Sequence, residues 1–183
     1  MADRVNRKAY QQSLPKKRIS AGCLFFDKSQ RLLIVKPTYK EGWEIPGGAV
    51  VANESPLAAC IREVTEELGL QRRPVRLLSV DFTGETKQRT ESLSFIFDGG
   101  VLSDEEIAAI RLPEEELSEY RLLAAVEALT LLNRRLRRRV RRWVGARLAG
   151  PARRFGGQGA PGHDALSGGA GVAVVGLSAG CGR

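Results

Sequence analysis

The chain has 183 residues, of which 43% are hydrophobic and 27% are charged, values that are ordinary for a globular protein. Its net charge of +8 lies at one end, since residues 134–183 carry 11 basic residues and one acid, whereas residues 1–133 carry 18 Lys/Arg and 20 Asp/Glu. No hydrophobic run approaches the ~20 residues of a transmembrane helix, and the N-terminus lacks the apolar segment of a secretory signal. We therefore expect a cytoplasmic protein with no membrane partner.

The N-terminal part predicts a flexible lead-in followed by a β-hairpin. Residues 1–17 are polar and are predicted to be loose. Residues 18–26 and 31–35 are rich in apolar side chains, and the turn-forming residues 27–30 separate them. Residues 43–45 are interpreted as a short strand that leads into two glycines.

The segment 47–70 contains the strongest helix signals of the chain. Ser55 can cap a helix with its side-chain oxygen, Pro56 suits the first helical turn, and Gly69 is a good C-terminal stop. The apolar residues between them recur at helical spacing and predict one face that packs on a core. These residues are Leu57, Ile61, Val64 and Leu68.

Three carboxylates occupy another face of this predicted helix. Glu63, Glu66 and Glu67 stand at i, i+3 and i+4, so they lie within about one turn. A solvated acidic face is one interpretation. The other is a metal site, because like charges so placed repel one another unless a divalent cation binds, and carboxylate oxygens suit Mg²⁺ or Mn²⁺.

Strands and short helices alternate after this segment, without a regular βαβ rhythm. Residues 75–82 and 93–97 are predicted strands, joined by a polar loop at 83–90. Ser103 followed by Glu106 is a capping-box signature for a short helix that ends near Ile110. Residues 119–123 are predicted to form a further strand.

Residues 124–148 are predicted to form one continuous basic helix. Packing of its apolar stripe on the domain, with a solvated basic face, is favoured over contact with nucleic acid, because no aromatic residues interleave with the arginines. The apolar stripe comprises Leu129, Leu132, Leu136, Val140 and Trp143. The basic residues around it are Arg134, Arg135, Arg137, Arg138, Arg139, Arg141 and Arg142.

The last part of the chain, 149–183, is predicted to be a disordered tail, since 11 of the 34 residues from Gly150 onward are glycine. His163, the only histidine, lies in this tail, so a histidine base in the core is excluded. The three cysteines are too far apart in sequence to suggest a metal or disulfide pattern. Carboxylates must therefore carry any hydrolytic chemistry. The predicted organisation is a lead-in at 1–17, a domain at 18–148 and the tail.

The spacing of the glycines and acids around the predicted helix resembles a known signature. Gly48, five residues, Glu54, seven residues and then the run Arg62–Leu70 (REVTEELGL) match the Nudix box of the Nudix hydrolases at every specified position. The preceding Gly42–Gly47 (GWEIPG) is similar to the usual approach to that box. The resemblance covers roughly residues 18–132 and implies an α/β/α sandwich around a mixed β-sheet.

The resemblance also implies roles for individual residues. Glu63, Glu66 and Glu67 would be metal ligands and catalytic residues, and the Gly47 carbonyl would add a ligand. Arg62, counted with the catalytic residues, and Glu54 would support them by fixing the loop–helix geometry. The general base stays open between Glu63 and a loop glutamate, which here means Glu91, Glu114, Glu115 or Glu116.

The function implied is a Mg²⁺-dependent pyrophosphohydrolase, with Mn²⁺ as an alternative cation, that cleaves a phosphoanhydride bond of a nucleoside diphosphate derivative. Signatures of several substrate-specific subfamilies are absent, which leaves a nucleoside triphosphate-type substrate as the expectation. The alternatives are an RNA-directed enzyme acting on 5′ ends and a non-catalytic nucleotide-binding module. Lys36, Lys40, Lys87 and Arg89 are candidate phosphate contacts.

Overall fold

The computed structural model describes residues 6–148, so the predicted tail at 149–183 lies outside the described residues. The elements, in chain order, are α1 (Arg7–Ser13), β1 (Arg18–Phe26), β2 (Leu32–Pro37), β3 (Gly47–Ala49), α2 (Pro56–Leu68), β4 (Arg76–Thr83), β5 (Ser92–Val101), α3 (Asp104–Ala108), β6 (Leu117–Leu123), α4 (Ala125–Leu131) and α5 (Arg134–Leu148). Helix α1 falls in the stretch predicted to be loose; all its residues are exposed, and the Asn6 side chain caps it. None of the helices within 6–148 combines the length and the hydrophobicity needed to cross a membrane.

The strands form one mixed sheet in the order β4-β5-β1-β2-β6, and β3 pairs with β1. Strands β1 and β5 run parallel, and the other pairs are antiparallel. One apolar cluster joins the sheet to α2, and a second joins the opposite face to α4 and α5. The predicted α/β/α sandwich around a mixed sheet is therefore confirmed.

The first hairpin forms where the sequence predicts it, and Asp27 organises its turn. The carboxylate of Asp27 accepts hydrogen bonds from the Arg31 backbone N–H at 2.8 Å and from Arg31 Nε at 2.6 Å. Gln30 takes a left-handed conformation with φ of 60°. The hairpin then pairs Phe26 with Leu32.

Helix α2 has the predicted ends but a slightly different buried face. Ser55 Oγ accepts a hydrogen bond from the Ala58 N–H at 3.1 Å, and Gly69 ends the helix with φ of 70°. The predicted core residues Leu57 and Ile61 are only partly buried. The fully buried positions are instead Ala59, Cys60, Val64 and Leu68, because the small residues at 59 and 60 allow close approach to the sheet.

Two cysteines meet beneath this helix. Cys23 on β1 and Cys60 on α2 are both free thiols with no exposed surface. The hydrogen bond with Cys60 and the burial of Cys23 raise the pKa of the Cys23 thiol strongly. The pair therefore belongs to the core between helix and sheet.

Two strand predictions need correction. The segment 43–45 makes only isolated bridges, from Glu44 to Val35 and from Trp43 to Leu132, and the strand that follows is β3 at Gly47–Ala49. Strand β5 runs to Val101, beyond the predicted end at residue 97, because its glycines let it follow β1 through a bulge.

The predicted continuous helix at 124–148 is wrong, because the chain breaks at Leu132 and Asn133. Leu132 is extended, with ψ of 144°, and bridges Trp43. The side-chain oxygen of Asn133 then caps α5 by accepting hydrogen bonds from the N–H groups of Arg135 at 3.1 Å and Leu136 at 3.0 Å. The tertiary bridge and the cap together outweigh the helical propensity of this stretch.

Helix α5 packs on the sheet through Leu136, Val140 and Val144, which are all buried. The prediction of a wholly solvated basic face is wrong at one position. Arg139 Nε donates to Asp81 Oδ2 at 2.7 Å, and its Nη2 donates to Thr83 Oγ1 at 2.9 Å. This guanidinium fastens α5 to strand β4.

We expect Arg139→Gln to lower the free energy of unfolding by about 1 kcal/mol, since it removes two hydrogen bonds of a charged group, one of them an ion pair that is partly shielded from water. The matched control is Arg141→Gln on the exposed face of the same helix, which we expect to change it by less than about 0.5 kcal/mol. Urea unfolding of both variants measures the difference. Equal midpoints would contradict the anchoring role of Arg139.

Candidate active site

One guanidinium group organises the carboxylates that the sequence singled out. Arg62 Nε and Nη2 donate to the two oxygens of Glu54 at 2.9 and 3.0 Å, and Nη1 donates to Glu63 Oε1 at 2.9 Å and Glu66 Oε2 at 2.8 Å. Nη2 also donates to the Ala49 carbonyl at 3.1 Å. A single side chain of α2 thereby joins the helix, the preceding loop and the end of β3.

Glu54 holds the loop in this arrangement. The side-chain bonds from Arg62, together with the Val51 N–H at 3.1 Å, lower the pKa of Glu54 below its ordinary value. In turn, the pKa of Arg62 is raised well above its usual range, most by its hydrogen bonds to Glu54 and then by those to Glu63 and Glu66. Arg62 and Glu54 thus join the loop to helix α2.

Glu67 is the most buried acid of the site, with 9% of its surface exposed. Its Oε2 accepts a hydrogen bond from the Gly47 N–H at 2.7 Å. Burial, and then the negative charges of Glu63, Glu116 and Glu44, raise the pKa of Glu67 to about 8 against the opposing effect of that hydrogen bond. Burial and the neighbouring carboxylates therefore favour the protonated form of Glu67 at neutral pH in the metal-free protein.

Glu63 lies against the glycine loop. Burial raises the pKa of Glu63, the bonds from Arg62 oppose this, and the charges of Glu66 and Glu116 reinforce it. A Cβ atom added to Gly48 would come within 2.5 Å of the Glu63 carboxyl carbon. The space beside Gly48 is thus a cradle for this carboxylate, which any larger residue would fill.

The predicted metal ligands gather at one place without forming a closed coordination set. Within residues 6–148, no three His, Cys, Asp or Glu side chains are arranged to hold one ion. Glu63 and Glu66 share Arg62 Nη1, and Glu67 binds the Gly47 amide. The donors are nevertheless all carboxylate oxygens, a chemistry that fits a hard divalent cation.

The candidates for the general base fall in different places. Glu116 lies near enough for its charge to act on both Glu63 and Glu67. Glu91 instead forms an ion pair with Lys17. Glu114 and Glu115 lie on a loop that is held through its backbone: the Glu115 carbonyl accepts a hydrogen bond from Thr38 Oγ1 at 2.7 Å.

Sequence reasoning did not assign the influence of Glu44 on Glu67. Its position between Gly42 and Gly47, in the segment leading into the glycine loop, is the signal that could have identified it.

The site continues into a groove of about 690 Å³, which residues 49–54 of the loop border on one side. Among the predicted phosphate contacts, Lys40 and Arg89 line this groove, whereas Lys36 and Lys87 are exposed elsewhere. Lys40 and Arg89 therefore line the same groove as Glu54 of the carboxylate cluster.

The two loop glycines yield contrasting stability predictions. Gly47 has φ of +140°, and a Cβ there would clash with the backbone of Ala21 and Gly22, so Gly47→Ala should cost about 3 kcal/mol or more. Gly48→Ala collides only with the movable Glu63 carboxylate and should cost about 1 kcal/mol or less while displacing that group. Thermal unfolding of both variants is the measurement. A Gly48→Ala protein as unstable as Gly47→Ala would show that the Glu63 carboxylate cannot move.

Known structures and relatives agree with this architecture. The MutT protein from Methanosarcina mazei Go1 superposes with a TM-score of 0.58 at 24% identity, covering 72% of this chain and 98% of that one, which shows a shared fold. Diphosphoinositol polyphosphate phosphohydrolase 2 of Mus musculus is 37% identical over 73 residues, which are 38% of this chain and 41% of the relative. RNA pyrophosphohydrolase of Hydrogenovibrio crunogenus is 38% identical over 61 residues, which are 33% and 37%.

The chain spans about two fifths of the length of these curated relatives. A model of the NUDIX domain, by contrast, matches residues 16–144, from the start of the sheet to helix α5. This range includes both apolar clusters and every residue of the carboxylate site described above. The chain therefore belongs to the Nudix family.

Proposed function

We propose that this protein is a divalent-cation-dependent pyrophosphohydrolase that cleaves a phosphoanhydride bond of a nucleoside diphosphate derivative, with nucleoside triphosphates as the first substrates to test. The observation that carries the proposal is the set of box carboxylates gathered by Arg62 beside the desolvated Glu67. Both relatives, a phosphohydrolase of diphosphoinositol polyphosphates and a pyrophosphohydrolase of RNA, are enzymes of diphosphate groups, which supports the bond type.

Glu66, Glu67 and the Gly47 carbonyl are the residues we expect to hold Mg²⁺, or Mn²⁺ in its place, with Glu63 adjacent. When bound, such a cation would neutralise phosphate oxygens and acidify a water molecule. The protein contributes the placement of these oxygens, since Arg62 fixes Glu63 and Glu66 from one side and the Gly47 amide fixes Glu67. Burial of Glu67 keeps bulk water from screening the charges.

Glu63 is our choice for the general base. It is held by Arg62 and lies in the Gly48 cradle, so its orientation is set, and its raised pKa brings it nearer to the pH at which it must accept a proton. Glu116 acts on the site through its charge. We therefore assign proton abstraction to Glu63 and a modulating field to Glu116.

An RNA-directed enzyme is the second candidate. The Hydrogenovibrio relative carries an RNA pyrophosphohydrolase name. Helix α5 presents exposed arginines to solvent, and positive charge on one helix favours phosphate backbones. We rank it second because the apolar side of α5 is used for packing, and its aromatic residue, Trp143, is itself partly buried against that apolar cluster.

We predict that Glu67→Gln lowers turnover by about 100-fold or more, because it removes a negatively charged ligand, while leaving the fold intact. The fold should persist, since Gln is isosteric with Glu, can still accept the Gly47 N–H and is uncharged at this buried position. The measurement is phosphate or pyrophosphate release from a nucleoside triphosphate panel with Mg²⁺, with EDTA as the control that abolishes release. Near-wild-type turnover of Glu67→Gln at limiting Mg²⁺ would reject this mechanism.

A second prediction separates the candidate bases. Glu63→Gln should reduce turnover by about 100-fold or more, as expected for the loss of a general base. Glu116→Gln should reduce it by less than about tenfold, because it removes only a nearby charge. The pH dependence of kcat/KM should lose its acidic limb in the first variant and keep it in the second. The reverse order of effects would assign the base to Glu116.

A further inference from the structure

Strand β4 is one of the two edges of the sheet, and one of its faces is apolar and open. Within residues 6–148, only β5 pairs with it. Val80 and Phe82 alternate along the strand and so point to the same face, where 47% and 45% of their surfaces are exposed. Directly across from them on β5 lie Phe95 and Leu93, which are only partly buried. An apolar surface therefore continues over two strands at this edge.

The opposite face of β4 is already occupied. Asp81 faces α5, where Arg139 Nε donates to its Oδ2 at 2.7 Å. Phe95 instead packs against the apolar cluster that joins the sheet to α2. Val80 and Phe82 therefore lie on the α2 side of the sheet, at its margin, where the described helices leave them exposed.

This edge lacks the usual protection. Native proteins protect the edges of sheets with charges, with proline or with a covering segment. The other edge, β6, carries Glu119 and Arg121, which pair at 2.6 Å. Strand β4 contains no proline, and its residues 79–83 pair regularly with β5 after a register shift. Their single charged side chain, Asp81, is turned to α5, so a covering segment is the form of protection that would suit the open face.

A segment with the matching chemistry occurs later in the same chain. Residues 172–177 (VAVVGL), which lie outside the described residues, form an uncharged run of six. All three β-branched residues of 149–183 fall in this run, and such residues favour strands. In an extended conformation, each alternating set of its side chains consists of apolar residues and at most one glycine. Either face of such a strand could therefore cover Val80 and Phe82.

The chain is long enough for this segment to reach β4. Helix α5 contacts β4 through Arg139, and Leu148 lies nine residues further on, about 14 Å along the helix axis. The 23 residues from 149 to 171 can span at most about 75 Å. Reach is therefore not limiting, and a segment on the same chain has the advantage of effective concentration over any separate partner.

We propose that residues 172–177 add a strand to the free edge of β4 and cover Val80 and Phe82. Main-chain hydrogen bonds to the edge supply the attraction, and the apolar contacts on the α2 side set the register. The expectation of a disordered tail is thereby revised for these six residues alone. The interaction uses no residue of the carboxylate site, so it stands independently of the proposed function.

Hydrogen exchange of the full chain, resolved to single amides, tests the proposal. The amides of residues 172–177 should exchange at least about tenfold more slowly than in a free peptide of the same sequence. The variant Val174→Asp/Val175→Asp should abolish this protection and speed exchange of the β4 amides that point away from β5 by about tenfold. The matched control Ala165→Asp/Leu166→Asp places the same charges elsewhere in the tail and should change neither rate.

A second pair of variants tests the contact from the side of the sheet. Val80→Lys should release residues 172–177 to the exchange rate of the free peptide, because the charge would enter the covered apolar surface. Val126→Lys makes the same substitution at an exposed position of α4 and should leave the protection unchanged. Free-peptide exchange of 172–177 in the wild-type chain, or an equal effect of the two lysines, would overturn the proposal.

The occupant is identified by repeating the exchange at two protein concentrations, with the mass measured by light scattering. A monomer whose protection at residues 172–177 is unchanged on dilution supports docking within one chain. Protection that weakens on dilution, or that occurs only in a dimer, would place a second copy at the edge of β4 and overturn the assignment.

Discussion

The fork of hydrogen bonds around Arg62 is the constraint on which the site depends. Glu54, Glu63 and Glu66 are like charges that all bind one guanidinium, whose positive charge offsets their mutual repulsion. The guanidinium suits this position because its planar donors reach several acceptors at once and it cannot lose its proton. A lysine would supply the charge but not the fixed directions. The glycine loop, the helix and the end of β3 all take their relative positions from this contact.

The two faces of the sheet carry different parts of the site. On one face, α2 is pressed against β1 by small and branched buried residues, so its carboxylates cannot rotate away from the loop. On the other face, α5 is held by an apolar seam and by Arg139. Strand β3, which leads into the loop at residues 49–54, pairs with β1 in the sheet between these two layers. The carboxylate-bearing helix α2 and the basic helix α5 therefore lie in separate layers on the two faces of the sheet.

Much of the fold could be predicted from sequence because the signals are local. Ser55, Pro56 and Gly69 specify the ends of α2 within the chain itself, and Ser103 with Glu106 forms the predicted capping box. The layering of helices on both sides of a mixed sheet is not local, and it was inferred only through the resemblance carried by the Gly48–Leu70 spacing; the order of the strands was not predicted.

The predictions that failed depend on contacts between distant residues. The break at Asn133 follows from the bridge between Leu132 and Trp43, which no propensity of the 124–148 stretch reveals. The contact of Arg139 with Asp81 joins residues 58 positions apart. In the site, the influence of Glu116 on Glu67 arises from the same kind of long-range approach, so composition gave no means of choosing it among its neighbours.

The buried cysteine pair has a consequence for how the motion of α2 can be followed. Cys23 and Cys60 face each other across the seam between the sheet and the helix that bears the carboxylates. An alkylating reagent reaches neither sulfur until that seam opens. The rate at which these thiols become labelled thus reports the local free energy of opening beneath the carboxylate site, separately from global unfolding. The two thiols are therefore a built-in probe of how firmly helix α2 packs on the sheet.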